Sequence, residues 1–226
     1  MSPRRRVTVK RTQLKQDKLV NTIFLFTKWV KERQSLVIGG LTGLVIVIIL
    51  AGVIASGRKK STERVIELLG KAEVLFSARV YDKAIPVLND LIENYGGTEQ
   101  SKLATFYMAN VLYNQGNYDG AKGHYERFIE ETKEDDLLIP SAIAGIAACL
   151  EEKGDFLEAG KRYLEAAKRY PDYYLAPQYL LDAGRCFLSG EEVERAKKTY
   201  EDLVSTYPQT EYSNRAELAL AEFFRE

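Results

Sequence analysis

The sequence contains few side chains of the types that carry acid–base, nucleophilic or metal chemistry. Its 226 residues include one histidine, His124, and two cysteines, Cys149 and Cys186. A histidine relay or a zinc centre needs several such groups brought together, and this inventory does not supply them. The sequence also lacks a glycine-rich strand-to-helix turn for phosphate, and its acidic pairs at 151–152 and 191–192 flank predicted turns. The sequence therefore predicts no catalytic, metal-binding or cofactor-binding residues and no enzyme activity.

The two cysteines predict buried thiols. They lie 37 residues apart, which is also the spacing of the repeated motif described next, so they occupy equivalent positions. Equivalent atoms of neighbouring helices are about 10 Å apart, whereas a disulfide needs Cα atoms within about 7 Å. We expect two small core side chains, with a disulfide or a metal site as the alternative. The cysteines therefore do not indicate a cellular compartment.

Four copies of one short motif follow residue 80. Each copy begins with an aromatic or apolar residue, has alanine three positions later and has a second anchor four positions after the alanine. The alanines, at 84, 121, 159 and 196, are separated by 37, 38 and 37 residues. A fixed period of this size is typical of stacked repeats, in which each unit buries its apolar face against its neighbours. The copies are Tyr81–Leu88, Tyr118–Tyr125, Phe156–Tyr163 and Val193–Tyr200.

The apolar spacing predicts that each unit is a pair of antiparallel helices. In the second unit the helices cover about 102–114 and 118–132, with a turn at 116–117. In the third and fourth units the second helices cover 156–169 and 193–206, after turns at 154–155 and near Gly190. We expect the large residue after each second-helix alanine to fill the space between units. Residues 211–225 are predicted to form an unpaired helix that caps the stack.

These offsets resemble the tetratricopeptide repeat, most closely in the third unit. The likeness covers about residues 62–226, although the first unit has Lys71 in place of an apolar residue and Gly96 in place of proline. The resemblance implies an all-α solenoid of about four helix pairs plus a capping helix, in a repeat domain at 61–226. The period is longer than the 34 residues usual for this repeat, which predicts slightly longer helices or linkers. The residues that carry the resemblance are Ala147, Gly154, Phe156, Ala159, Tyr163, Ala166 and Pro171.

A charge-free segment separates two parts of opposite charge. Residues 1–60 contain 13 basic and 2 acidic residues, whereas residues 61–226 contain 19 basic and 30 acidic residues. The run from Leu36 to Ala55 lies within the charge-free segment and is long enough to cross about 30 Å of hydrocarbon as one helix. We predict a disordered basic tail at 1–16, a basic amphipathic helix at 17–33 and a transmembrane helix at 34–57. The acidic repeat domain argues against nucleic acid as a partner.

The charges that flank the apolar run predict its orientation. Ten basic residues precede the run and four follow it closely. Because the larger positive load stays in the cytoplasm, we expect a single-pass protein of the bacterial inner membrane, with a cytoplasmic N-terminus and a periplasmic repeat domain. A cleaved signal peptide that ends near Val53–Ala55 is the alternative. An uncleaved anchor is favoured because the apolar run and the segment before it are both too long for a signal peptide.

The order of parts also resembles the membrane-anchored periplasmic tetratricopeptide proteins that serve as ancillary subunits of the SecYEG translocon. That resemblance implies an adaptor that links the Sec translocon to periplasmic chaperones or exported clients. The alternative is a structural scaffold, or an assembly factor of the cell envelope or outer membrane, without that role. The sequence leaves self-association open.

Tetratricopeptide repeats usually bind peptides in a groove made by their first helices. By repeat position, this implies a groove for proteins or extended peptides in this chain. An apolar groove that carries amides fits extended unfolded segments. A clamp for a C-terminal carboxylate is not expected, because only one of the groove residues is basic. The implied groove residues are Phe76, Asn110, Tyr113, Asn114, Glu151, Arg185 and Leu188.

Overall fold

The computed structural model describes the backbone of residues 11–132 and 137–224, which contain ten α-helices and no β-strand. Contacts within the chain divide it into Met1–Ser61 and Thr62–Glu226. The boundary between these units falls inside α2. The helices are α1 (Arg11–Glu32), α2 (Gln34–Ser77), α3 (Tyr81–Asn94), α4 (Glu99–Asn114), α5 (Tyr118–Glu131), α6 (Ile139–Glu152), α7 (Phe156–Arg169), α8 (Ala176–Ser189), α9 (Val193–Thr206) and α10 (Glu211–Phe223).

In the N-terminal unit, the backbone is described more fully than the side chains. Side chains at 11–19 and at most positions between 37 and 62 lie outside the described residues. Where side chains are described, no helix combines the length and the apolar character that a membrane span requires. The predicted transmembrane segment, 34–57, falls largely outside that set, and the first ten residues of the predicted tail lie outside the described chain, so both stay predictions.

One boundary in the N-terminal unit needs correction. The predicted tail ended at residue 16, but α1 already begins at Arg11, so residues 11–16 are helical rather than disordered. The segment contains lysine, leucine and glutamine and has no glycine or proline, which makes helix a favourable local state. The predicted helix at 17–33 is therefore the C-terminal part of a longer helix.

Side-chain caps or prolines mark the starts of six repeat helices, whereas α3 and α9 begin without either. Thr98 and Thr210 accept hydrogen bonds from backbone N–H groups at the starts of α4 and α10, and Asn117 and Asp155 do the same for α5 and α7. Such caps satisfy donors that have no partner within the helix. Helices α6 and α8 instead have a proline in their first turn, where its missing N–H is not needed. The predicted bounds of α7 and α9 are confirmed.

The turns between paired helices use the left-handed backbone region. Gly116 and Gly154 have φ angles of 77° and 82°, as their glycine identity predicts. The predicted turn near Gly190 is present in the fourth unit, where Gly190 has φ −87° and the left-handed residue is Glu191, with φ 63°. A Cβ atom on Gly190 would lie 3.4 Å from the backbone nitrogen of Leu157, close to ordinary van der Waals contact, so packing does not require glycine there.

The core of the repeat domain has the predicted composition. The four second-helix alanines are fully buried, and the large residues four positions later, Leu88, Tyr125, Tyr163 and Tyr200, are at most 7% exposed. One cluster of buried side chains joins α2, α3 and α4, and a second extends from α4 to α10. Cys149 and Cys186 are buried and free of a disulfide. The burial predicted for these large residues is confirmed.

Two of these tyrosines lie directly against glycine. A Cβ atom on Gly145 would lie 2.4 Å from the ring of Tyr125, which reaches from α5 into the next unit. A Cβ atom on Gly184 would also lie 2.4 Å from the ring of Tyr200, within the same unit. Because buried rings are held by close packing on all sides, only a residue without a side chain allows these approaches.

Replacing Gly184 by alanine should therefore lower the free energy of unfolding. The overpacking cost of about 1–3 kcal/mol outweighs a helix-propensity gain of about 1 kcal/mol. Gly123→Ala is the matched control, because Gly123 lies in helix α5 with no atom within 4 Å of an added Cβ. Urea unfolding should show loss of stability for the first variant and a small gain for the second. Equal gains would show that Tyr200 is not packed against α8.

Candidate functional site

Six of the seven predicted groove residues fall in two rows along the first helices. Phe76, Tyr113, Glu151 and Leu188 follow one another at 37, 38 and 37 residues, so they hold the same place in α2, α4, α6 and α8. Asn110 and Arg185 share a second place, three residues earlier in their helices, and Asn114 follows Tyr113. Because stacked repeats present equivalent positions on one face, the two rows define a first-helix face.

At the first-unit end of this face, Phe76 is half-buried. Its ring centroid lies 6.1 Å from that of Tyr81 and 5.5 Å from that of Tyr107. The Tyr107 hydroxyl donates a hydrogen bond to Glu73 Oε1 at 3.3 Å and so joins α4 to α2. Burial, together with the Glu73 carboxylate, raises the pKa of Tyr107. Phe76 therefore belongs to an aromatic cluster that holds the first two units together.

Asn110 also has a structural role. The Tyr125 hydroxyl donates to Asn110 Oδ1 at 2.8 Å, and Asn110 Nδ2 donates to the Phe106 carbonyl at 3.0 Å. Tyr125 is 4% exposed, and burial raises its pKa. A buried hydroxyl needs such a partner. By contrast, Asn114 is exposed, and its amide donates to the Asn110 carbonyl at 2.7 Å. Its side-chain oxygen accepts no hydrogen bond within the described residues.

Tyr113 shares a carboxylate with a second tyrosine. The hydroxyls of Tyr113 and Tyr118 donate to the two oxygens of Glu152 at 3.4 and 3.2 Å, and the two rings meet edge to face at 5.5 Å. Burial, with the charge of Glu152, raises the pKa of Tyr113 to about 12. Lys153 pairs with Asp119 beside this group. The edge of the second unit is thereby joined to the end of α6.

Arg185 is already paired. Both of its terminal nitrogens donate to the carboxylate of Glu151 on α6, and one also donates to Asp182 at 3.4 Å. The hydrogen bond to Glu151 raises the pKa of Arg185. Burial raises the pKa of Asp182, although Arg185 opposes that shift. Because its fork is held in this two-point geometry, Arg185 is not free to bind an incoming carboxylate.

The histidine and the two cysteines, which are the most reactive side-chain types in the sequence, lie away from this face or are buried. His124, in α5, has a pKa lowered by burial and by nearby Arg127, and its Nδ1 lacks a hydrogen-bond partner within the described residues. Burial raises the pKa of Cys149 to about 11 and that of Cys186 to about 12, which disfavours the nucleophilic thiolate. In the described ranges, no group of three histidine, cysteine or acidic residues is arranged to hold a metal ion.

The structure also shows a pocket at the fourth-unit end of the first-helix face. Its volume is about 330 Å³, and it lies between α8, α9 and α10. We call it the C-terminal pocket. Sequence reasoning found two of its residues but missed the others, because α10 was treated only as a cap. Repeat offsets would have identified Arg215, which is equivalent to Gln178 on α8. The main lining residues are Leu181, Arg185, Leu188, Tyr200, Arg215 and Phe223.

Comparisons with known proteins agree with the repeated helix pairs. A family model described as tetratricopeptide repeat matches residues 69–136 and 106–173, and a second model with the same description matches residues 178–210. A search of curated proteins gives no match. The matched residues run from the end of α2 to the end of α9 and so contain the helix pairs that form the first-helix face.

The two asparagines of α4 should respond differently to substitution. Asn110→Ala leaves the buried Tyr125 hydroxyl without its partner, which should cost about 1–3 kcal/mol of unfolding free energy. Asn114→Ala, its control in the same helix, should change stability by less than about 0.5 kcal/mol because the side chain is exposed. Urea titrations of the two variants make the comparison. Equal effects would mean that the Tyr125–Asn110 bond does not hold α4 and α5 together.

Proposed function

Because the chain belongs to the tetratricopeptide-repeat family across residues 69–173 and 178–210, we propose that its first-helix face is a groove that binds extended protein segments. Repeats of this family form protein-interaction modules. The observation that carries the proposal is the C-terminal pocket, which opens among the predicted groove residues Arg185 and Leu188. Clefts of this kind bind ligands through apolar walls and a few placed polar groups.

The composition of the groove supports a ligand without a fixed sequence. Aromatic side chains provide contact area at low entropic cost, and an amide binds backbone N–H and C=O groups of any sequence. Asn114 offers an exposed amide whose oxygen is unpartnered within the described residues. The polar members Asn110 and Glu151 are held in place by Tyr125 and Arg185. A groove that is fixed in this way loses little entropy when it binds an extended chain.

We further propose that residues 34–57 anchor the protein in the bacterial inner membrane, with the N-terminus in the cytoplasm and the repeat domain in the periplasm. The apolar run at 36–55 and the excess of basic residues before it support this orientation. In α1, Phe24, Phe26 and Trp29 are at least half exposed, Lys28 lies between them and Lys31 follows two residues after Trp29. Exposed apolar and basic side chains of this kind suit a helix at a membrane surface.

In this setting the proposed role is an adaptor that links the Sec translocon to periplasmic chaperones or exported clients. The order of parts and the groove for extended chains support it. A scaffold of the cell envelope or outer-membrane assembly is the second candidate. The scaffold is favoured by hydrogen bonds between units, because Tyr113, Glu151 and Arg185 all take part in such bonds. The two candidates differ in whether the groove captures an unfolded chain.

Capture by the groove should depend on Tyr113 and Asn114. We expect the combined change Tyr113→Ala and Asn114→Ala to weaken the binding of an unfolded exported protein by about tenfold or more, since it removes an aromatic contact and an amide. Binding of the labelled, urea-diluted protein to the full chain is measured by fluorescence anisotropy. Circular dichroism checks that the helices persist.

Tyr118→Ala is the matched control for this experiment. It removes the same aromatic pair and a hydrogen bond to the same Glu152 carboxylate, but from α5 instead of a first helix. Its capture of the unfolded protein should remain close to that of the natural chain. If both variants lose capture equally, the loss reflects the junction between units and the groove is not the binding site.

Topology is tested separately. Protease added outside spheroplasts should digest residues 61–226 and spare a tag at the N-terminus, because the ten basic residues before the apolar run hold that end inside. Permeabilised cells, in which both ends become accessible, are the control. Protection of the repeat domain in intact spheroplasts would overturn the proposed orientation.

A further inference from the structure

Equivalent tyrosines in successive units differ in whether the hydroxyl has a hydrogen-bond acceptor on the first helix. Tyr125, Tyr163 and Tyr200 follow one another at 38 and 37 residues, and all three are at most 7% exposed. The Tyr125 hydroxyl donates to Asn110 at 2.8 Å, and the Tyr163 hydroxyl lies 3.5 Å from Glu151. In each case the acceptor is a groove residue on the first helix of the same unit.

Tyr200 lacks such an acceptor. The two groove residues of its unit are Arg185, which has only donors, and Leu188, which is apolar. The Tyr200 hydroxyl forms no hydrogen bond within residues 11–132 and 137–224, although Tyr200 is only 3% exposed. Its ring is held against Gly184, and the residue lines the C-terminal pocket. In the described part of the chain, the buried side-chain atoms without a hydrogen-bond partner do not include the Tyr200 hydroxyl, so this hydroxyl is accessible to solvent and can donate to a ligand in the pocket.

The charged residues of the pocket differ in whether they form ion pairs. Asp182 and Arg185 lie at its wall and are paired with each other, and Arg185 is paired with Glu151 as well. Arg215, on α10, is exposed and forms no ion pair within the described part of the chain. At this wall the single guanidinium of Arg185 faces two carboxylates, so the cation left to pair with an acidic side chain of a ligand is Arg215. The remaining wall is mainly apolar and includes Leu181 and Phe223, although Ser189 also lines the pocket.

We infer that the C-terminal pocket is a subsite for an extended peptide in which an apolar residue is followed by an acidic one. The apolar side chain enters between Leu181, Leu188 and Phe223. A backbone carbonyl of the peptide accepts the hydrogen bond that Tyr200 donates, and the acidic side chain pairs with Arg215. The inference rests on the proposed function and adds a sequence preference to it. A volume of about 330 Å³ accommodates one large side chain and its backbone.

The test uses the purified full chain and three short fluorescein-labelled peptides, each with one central pair between glycine–serine arms. The pairs are Leu-Glu, Leu-Lys and Ser-Glu. We expect the Leu-Glu peptide to bind about fivefold more tightly than Leu-Lys, as one exposed ion pair allows. It should bind at least about tenfold more tightly than Ser-Glu, because one apolar side chain is buried.

Charge reversal gives the decisive comparison. In Arg215→Glu the preference should invert, so that Leu-Lys binds more tightly than Leu-Glu, an outcome that loss of folding cannot imitate. Lys198→Glu, on an exposed position of α9, makes the same charge change outside the pocket and should leave the preference unchanged. Tyr200→Phe should weaken both leucine peptides by the same factor, about fivefold for one neutral hydrogen bond.

Unchanged preference in Arg215→Glu would overturn the inference, and so would equal affinity of the natural chain for all three peptides. Self-association that responds to Arg215→Glu without any change in peptide affinity would show instead that a second copy occupies the pocket. None of these outcomes decides whether the groove binds extended chains, which is tested separately. If an unfolded protein is still captured through Tyr113 and Asn114, the groove binds extended chains and only the subsite at its end is wrong.

Discussion

The stack depends on one large side chain per unit, placed four residues after a buried alanine of the second helix. Leu88, Tyr125, Tyr163 and Tyr200 occupy this place and are nearly inaccessible to solvent. Two of the rings lie where a neighbouring glycine has no side chain. Because each unit of a repeat protein is stabilised mainly by its neighbours, these contacts hold the helix pairs in register. The position of every first helix, and hence of the groove, follows from them.

The same tyrosines connect the core to the proposed binding face. In the second and third units their hydroxyls meet Asn110 and Glu151, so buried packing orients polar groups that lie on the first helices. A buried hydrogen bond of this kind fixes geometry more than it adds stability. The fourth unit keeps the ring but has no matching acceptor, and the C-terminal pocket lies there. The hydrogen bond from the second-helix tyrosine to the first helix is thus missing in the unit where we propose that a ligand binds.

Local patterns were enough to predict the helix pairs, since the alanine spacing and the apolar stripes depend on a few neighbouring residues. The bounds of α7 and α9 and the buried Ala159 follow from such patterns. Contacts between units were harder to predict. The sequence period is 37 or 38, but Arg185 meets Glu151 and Tyr118 meets Glu152 at separations of 34 residues, one helical turn short of the period. The pocket also escaped prediction, because its walls depend on how α10 packs against α8 and α9, and the sequence pattern identified α10 only as a cap.

Site-specific photocrosslinking in native membranes tests the central claim most directly. A photoreactive residue at Leu188 or Asn114 lies in the groove, whereas one at Lys198 lies on an exposed position of α9. A groove that receives extended chains predicts crosslinks to secreted proteins during export from the first two positions and few from the third. Crosslinks to exported chains from Lys198 alone, with none from the two groove positions, would contradict the account.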